Sequence, residues 1–240
     1  MRSFRTGMLL VLAFLVAGCA AEGMPTDVGA ITQEVQESLD RGKKHDRTYE
    51  PYVAGSPQRQ ALDALADADR LVVHSLLSEY DYDVMMAMDR ALPPGRSDGA
   101  QQRALRDQWC RRGPCLGGQR KLGNTTLATE SDKAVVQALL EGWMGKEPNY
   151  GTACIAQYHH AVSFAGGGHA YDVLLCYGCG QYKLLRDGVE VAEGQGAHPV
   201  GHTVLNQRLA AAGLSYFDAD KEAWRGPPLP AEAFAFGTQK

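Results

Sequence analysis

The chain has 240 residues, of which 45% are apolar and 22% are charged, and its formal net charge is −4 at pH 7. This length and composition are sufficient to bury one good hydrophobic core. The net negative charge leaves no strong basic face, so nucleic acid is not an expected partner.

The first residues have the pattern of an export signal. Arg2 and Arg5 precede an apolar run from about residue 7 to residue 17, which is shorter than the roughly 20 residues that a membrane-spanning helix needs. A charged start, a short apolar core and small residues at its end are typical of a segment that is removed after export. We find no further span in the sequence, which argues against a pore or transporter.

The end of this signal carries a more specific motif. The letters LVAGC, residues 15–19, resemble the lipobox of bacterial prolipoproteins. The resemblance implies cleavage before Cys19, a diacylglycerol on its sulfur and an acyl chain such as palmitate on its new amino group, which together would hold the protein stably at a membrane. Ala20 in the next position implies the outer membrane, with the protein facing the periplasm, if the host sorts lipoproteins as enterobacteria do. The alternative is an ordinary secretory signal with a chance cysteine.

Cleavage of residues 1–18 would remove two arginines and no acids, so the formal charge would change from −4 to −6. Residues 19–55 are then predicted to form the anchor, a short amphipathic helix and an extended linker. The narrow apolar stripe of this helix indicates weak docking or movement with the tether. The stripe consists of Val28, Ile31, Val35 and Leu39.

Residues 56–216 are predicted to form one globular domain. Ser56 and Pro57 open a helix, and residues 70–77 form a buried strand unless that helix continues. Residues 78–118 show only an irregular, partly helical pattern. Residues 122–127 predict another strand, after which Thr129 caps a helix with Asp132 three positions later.

The second half of this domain is rich in strand signals. A glycine turn at residues 166–168 and a hairpin turn at Asp187–Gly188 separate apolar runs. Pro199 is expected to open a last helix, and residues 217–240 form a proline-containing surface tail. These elements together predict an α+β fold in which helices pack on a mostly antiparallel sheet.

Residues 122–214 also carry a recognisable combination of motifs. The letters CIAQYHHAVSF, the glycine turn and YDVLLCYGC resemble a group of uncharacterised bacterial exported proteins. The resemblance implies the extent of the domain, and it implies no activity.

The Cys-x-x-Cys pair in this region adjoins two histidines. If Ala165 pairs with Ala170 across the glycine turn, opposing residue numbers sum to 335, so Cys176 lies opposite His159. A slip of one residue would bring His160 there instead. Cys154 lies near the level expected for Cys179, so three sulfurs and an imidazole could converge at one end of a hairpin.

Disulfides are the first interpretation of the cysteines, because an exported chain enters an oxidising space. Cys110 and Cys115 bracket a short loop suited to a local bridge. Cys154 could join Cys176 or Cys179, which leaves one thiol over. Closing a loop of roughly 20 to 25 residues would contribute about 3 kcal/mol on the chain-entropy estimate.

Zinc is the alternative interpretation. A tetrahedral site needs four nitrogen or sulfur ligands, and Cys154, Cys176, Cys179 and either His159 or His160 would supply them. A second Cys-x-x-Cys at standard spacing, which would strengthen this interpretation, is absent from the sequence.

Catalysis by these residues ranks third. A thiol oxidoreductase of the thioredoxin kind places its first cysteine at a helix N-terminus, whereas a strand pattern follows Cys179. For a hydrolase, no orienting side chain is placed by the sequence, and no catalytic residue is assigned. The predicted function is therefore a lipid-anchored envelope protein with a non-catalytic binding or structural role, and the sequence does not identify a protein or small-molecule partner.

Overall fold

The computed structural model describes residues 28–92, 99–127 and 129–236. Cys19, the predicted signal peptide and the end of the predicted tail lie outside these described residues. The described helices are α1 Val28–Lys43, α2 Pro57–Ala66, α3 Tyr82–Ala91, α4 Gly99–Arg111, α5 Glu130–Met144, α6 His202–Ala211 and a short 3-10 helix at Ala231–Phe234. The described strands are β1 Tyr49–Pro51, β2 Leu71–Leu77, β3 Cys115–Leu116, β4 Gln119–Leu127, β5 Lys146–Pro148, β6 His160–Gly166, β7 His169–Cys176, β8 Gln181–Arg186, β9 Val189–Gln195, β10 Tyr216–Asp218 and β11 Ala223–Arg225.

Seven of these strands form one sheet in the order β3-β4-β2-β6-β7-β8-β9, and its ladders are antiparallel. The predicted α+β class with a mostly antiparallel sheet is confirmed. The predicted hairpin turn joins β8 to β9, and Asp187 and Gly188 have φ angles of 53° and 77°. Two positive φ angles in succession are what a tight two-residue hairpin requires.

One face of the sheet is covered by α2, α5 and α6, and we call it the helix-covered face. Side chains alternate between the two faces of a strand, so Val173 and Leu175 of β7 point toward the helices. Trp143 of α5 is fully buried against this face, and its indole N–H donates to the carbonyl of Val200 at 3.1 Å. Each large apolar side chain buried here contributes about 1.5–3 kcal/mol.

The opposite face carries a smaller apolar cluster and a polar row. Leu174 and Cys176 of β7 pack there with Tyr158, which lies in the irregular segment before β6. The polar row runs beside this cluster and includes His74, Ser163, Asp172 and Lys183.

The start of α5 confirms the predicted cap. The Thr129 hydroxyl accepts the Asp132 N–H at 3.1 Å and donates to the Asp132 carboxylate at 2.8 Å. The last helix differs from its prediction, because α6 begins at His202 rather than at Pro199. Gly201, with φ of 84°, precedes it, and a Cβ there would lie 2.4 Å from the Leu139 side chain. The preceding loop therefore packs on α5 before the helix can start.

The described part of the anchor region is integrated into the domain, in contrast to the expected loose helix and linker. Ile31 of α1 is fully buried, and the Glu34 carboxylate accepts the Gly201 N–H at 2.9 Å. Strand β1, within the expected linker, pairs with β5. These contacts join residues distant in sequence, so the narrow stripe of α1 did not reveal them.

Residues 78–118, which show no clear pattern in the sequence, contain α3, α4 and β3. The described part of the tail folds back over this region, since the Trp109 indole N–H donates to the carbonyl of Ala233 at 2.6 Å. Within the described residues, the structure contains no helix of the length and apolarity needed to span a bilayer.

Candidate functional site

The hairpin that carries the Cys-x-x-Cys pair has the predicted register. Ala165 pairs with Ala170 and His160 with Leu175, so opposing numbers sum to 335 and His159 is level with Cys176. The carbonyl of His159 accepts the Leu76 N–H from β2 at 2.9 Å. The ends of β2 and β7 and the start of β6 therefore meet at one end of the sheet.

The structure places two pairs of cysteines at disulfide distance. Cys110 pairs with Cys115, and Cys154 pairs with Cys179, which closes a loop of 25 residues. These pairs fit the expected use of disulfides. Among the described cysteines, the one left unpaired is Cys176, which is buried.

Backbone N–H groups surround the sulfur of Cys176. It accepts hydrogen bonds from the N–H of Gln157 at 3.2 Å and of Cys179 at 3.4 Å. Burial raises the pKa of the Cys176 thiol, and these N–H donors only partly offset that effect. Because the thiolate is the reactive form, the protonated Cys176 is a poor nucleophile.

A glutamine on β9 holds the turn after the Cys-x-x-Cys pair. The Gln195 side-chain amide donates to the carbonyls of Cys179 and Gly180 at 3.0 and 2.8 Å. Its carbonyl accepts both the N–H and the hydroxyl of Thr152. Gly180 has φ of 66°, and a Cβ there would lie 2.6 Å from the Gln195 side chain. A glycine is therefore required for this close approach. No pattern in the sequence indicated that Gln195 contributes to this turn.

The two neighbouring histidines have different environments. The His159 Nε2 lies 2.7 Å from the Asp81 carboxylate, and the other oxygen of Asp81 accepts the Ser78 N–H at 3.2 Å. The ring of His159 stacks on Phe217 with centroids 3.8 Å apart and meets Trp224 edge-on.

His160 is enclosed on the helix-covered side. Its Nε2 lies 2.6 Å from Oδ1 of Asn206 on α6. Burial lowers the pKa of His160 to about 3, so its ring is neutral. Since the amide oxygen can only accept, Nε2 carries the proton and Nδ1 is an acceptor. That Nδ1 and the hydroxyl of neighbouring Tyr177 are both buried without a hydrogen-bond partner.

These residues border a cleft of about 440 Å³ at this end of the sheet. Cys176, Cys179 and both histidines contribute to its wall. Three carboxylates lie in the lining, at Asp81, Asp83 and Glu222, and the described lining includes no Lys or Arg. The apolar part of the lining includes Leu77, Ile155, Phe217, Trp224, Leu229 and Phe234.

The sequence-predicted zinc ligands are brought to one neighbourhood but are engaged with other partners. Cys154 and Cys179 are joined to each other, and the two histidines contact Asp81 and Asn206. In the described part of the chain, a separate group that could hold a cation is His202, Asp218 and Asp220, whose ligand atoms lie within 4.8 Å of one another.

A Ser-His-Asp group lies on the opposite face, but its hydrogen bonds do not connect the three side chains in the order that a nucleophilic serine needs. The Ser163 hydroxyl donates to Asp172 and therefore accepts from His74 Nε2, 2.8 Å away. In serine hydrolases the hydroxyl proton passes to the histidine and the carboxylate contacts the histidine instead. Burial lowers the pKa of His74 to about 4. We interpret these residues as a hydrogen-bonded chain of the sheet surface.

Comparisons of the chain with protein-family models, with curated proteins and with solved structures find no match.

Proposed function

We propose that this protein is a lipid-anchored protein of the cell envelope, most simply of the outer membrane facing the periplasm, and that it binds a ligand without transforming it. The observation that carries the proposal is the cleft at the end of the sheet. Its volume of about 440 Å³ lies within the range of small-molecule sites, which combine apolar walls with a few polar groups.

The state of the titratable groups supports binding over catalysis. Cys176 is protonated and held by backbone N–H groups, and the Asp81 carboxylate is shared with His159. Neither group is arranged as a nucleophile with an adjacent base, which covalent catalysis requires. The disulfide Cys154–Cys179 and the Gln195 contacts stiffen the wall instead, and a rigid wall lowers the entropic cost of binding.

The location is supported by the sequence. The lipobox at residues 15–19 supplies Cys19 for acylation, and paired cysteines suit an oxidising compartment. Growth with labelled palmitate should label the protein in the membrane fraction. A Cys19→Ala variant should lose the label and should no longer be found in the membrane fraction. If the variant is still labelled and still found in that fraction, the proposed lipid anchor at Cys19 is wrong.

The binding proposal is tested with N-phenyl-1-naphthylamine, a neutral fluorophore whose emission rises in apolar sites. We would use the chain from Ala20 onward, because it keeps every described residue. Saturable binding should weaken about tenfold, or about 1.4 kcal/mol, in Trp224→Ala. The matched control is Val35→Ala, in a separate apolar groove between α1 and α5. Absence of saturable binding, or equal weakening by both variants, would refute the cleft as the site.

Zinc binding is a second candidate, and one specific observation favours it. The Cys176 sulfur accepts two backbone N–H groups, and Gly180 after the pair has a positive φ, as in turns that present thiolates to a metal. Zinc would be a structural ion here, held by Cys154, Cys176 and Cys179 in a chain in which the Cys154–Cys179 bridge has not formed, with His159 or His160 as the fourth ligand. A native mass heavier by one zinc ion, lost on denaturation, would support this candidate, and a mass lighter by two hydrogens per bridge without metal would exclude it.

A further inference from the structure

We propose that the ligand of the cleft is a small primary or secondary amine, protonated and attached to an apolar or aromatic body. This inference rests on the proposed binding function and names its ligand class. Three independent properties of the lining point to it: charge, aromatic surface and an unused hydrogen-bond acceptor.

The charge of the lining is negative. Asp83 and Glu222 are exposed at the mouth, and neither is part of an ion pair among the described residues. Asp81 lies deeper, and its carboxylate contacts the imidazole of His159. A concave site lined by one sign of charge concentrates ligands of the other sign. A carboxylate or phosphate ligand is therefore disfavoured here.

The aromatic walls suit the same ligand. Phe217 and Trp224 lie edge to face with centroids 5.7 Å apart, and Phe234 completes this side of the cleft. The face of an aromatic ring attracts a cation, with tryptophan the strongest. The same rings bury the apolar body of an organic amine, which distinguishes it from an inorganic cation.

His160 borders the cleft and has a buried ring nitrogen without a hydrogen-bond partner. His160 is only 1% exposed, its Nε2–H is used by Asn206, and its Nδ1 has no partner. An unpaired buried acceptor is unfavourable, so a ligand that donates an N–H to Nδ1 would satisfy it. An ammonium with at least one N–H can donate to this nitrogen, whereas a quaternary ammonium has no proton to donate.

The test compares four ligands of similar shape: phenethylamine, 2-phenylethanol, 3-phenylpropanoate and the trimethylated phenethylammonium ion. Binding to the chain from Ala20 onward is followed by calorimetry and by Trp224 emission, with Trp224→Phe assigning the optical signal. We expect phenethylamine to bind at least about tenfold tighter than the alcohol or the acid, and tighter than the quaternary ion. An N-acetylated Lys-Phe amide shows whether the ammonium of a peptide serves as well as that of a free amine.

Two exposed carboxylates allow a variant that should fold normally. Asp83→Asn with Glu222→Gln should weaken phenethylamine several-fold and leave 2-phenylethanol unchanged. The control, Glu130→Gln, neutralises an exposed acid away from the cleft. If the alcohol or the acid binds as tightly as the amine, the amine inference is wrong and the binding function stands. If neither the four ligands nor N-phenyl-1-naphthylamine binds, the amine inference and the proposed binding function are both wrong.

Discussion

The two faces of the sheet differ in what their side chains contact. On the helix-covered face, residues such as Val162 and Val173 are fully buried under α5 and its neighbours. On the opposite face, Ser163 and Asp172 are half-buried in a chain of hydrogen bonds with His74. The cleft lies where the strands end, and it takes walls from both sides. We infer that stability is concentrated on the first face, which leaves polar groups near the second free for recognition.

The largest expected effect would break the helix-covered face. Trp143→Ala removes a fully buried indole and should lower the free energy of unfolding by about 3–5 kcal/mol, as measured by urea denaturation. Trp224→Ala, at the half-buried cleft wall, should cost clearly less. Equal losses would show that the cleft wall is part of the main core.

The second expected effect concerns the two disulfides. Replacing both Cys154 and Cys179 by serine should cost about 3.5 kcal/mol on the chain-entropy relation for a loop of 25 residues. The same replacement at Cys110 and Cys115, whose separation is 5, should cost about 2 kcal/mol. Thermal unfolding with and without reductant would compare them. If reductant leaves the melting temperature of the parent chain unchanged, the two disulfides do not contribute to its thermal stability.

The third effect is a loss of stability at mildly acidic pH. Burial lowers the pKa of His160 to about 3 and of His198 to about 4. The unfolded chain protonates these rings below about pH 6.5, whereas the folded chain does not. Above pH 6.5 the rings are neutral in both the folded and the unfolded chain, so protonation does not favour unfolding. The free energy of unfolding therefore falls as the pH drops from 6.5 toward 4. The slope is up to about 1.4 kcal/mol per pH unit for His160.

Urea denaturation at pH 7.5, 6.5 and 5.5 checks this prediction. His160→Gln should flatten the pH dependence, and His45→Gln, at an exposed site, should leave it unchanged. A slope that His160→Gln does not alter would mean that other groups bind the protons.

The smallest effect contrasts two serines. Ser163→Ala on the opposite face breaks two hydrogen bonds and should cost about 0.5–1.5 kcal/mol. Ser75→Ala on the helix-covered face removes a buried hydroxyl that has no partner, so it should be neutral or stabilising. Denaturation midpoints of the two variants give the comparison, and the reverse order would contradict the assignment of the two faces.

The sequence was most informative where local chemistry decides structure. The alternating pattern of β6 and β7, the Asp187–Gly188 turn and the Thr129 cap act within a few residues, so they could be predicted. The docking of α1 and the pairing of β1 with β5 depend on contacts across about a hundred residues, and no local pattern encodes them.

The candidate site divides in the same way. The position of Cys176 opposite His159 could be predicted from the register of the β6–β7 hairpin. The partners of the histidines did not, because Asp81 lies 78 residues before His159 and Asn206 lies 46 residues after His160. The aromatic wall from Phe217 and Trp224 belongs to a segment that the sequence assigned to a surface tail. Only the folded chain brings these groups to one cleft.

The buried free thiol has a consequence for oxidative folding. Cys176 is 2% exposed in the folded protein, but in the unfolded chain it is as accessible as Cys179. Because Cys176 and Cys179 are only three residues apart, a non-native bridge between them competes with Cys154–Cys179. The β6–β7 hairpin pairs residues close in sequence, so it can form early and withdraw Cys176 from oxidants before the Cys154–Cys179 bridge closes. We therefore expect disulfide-scrambled species to accumulate when this hairpin is weakened, and production of the protein to depend on how fast it closes.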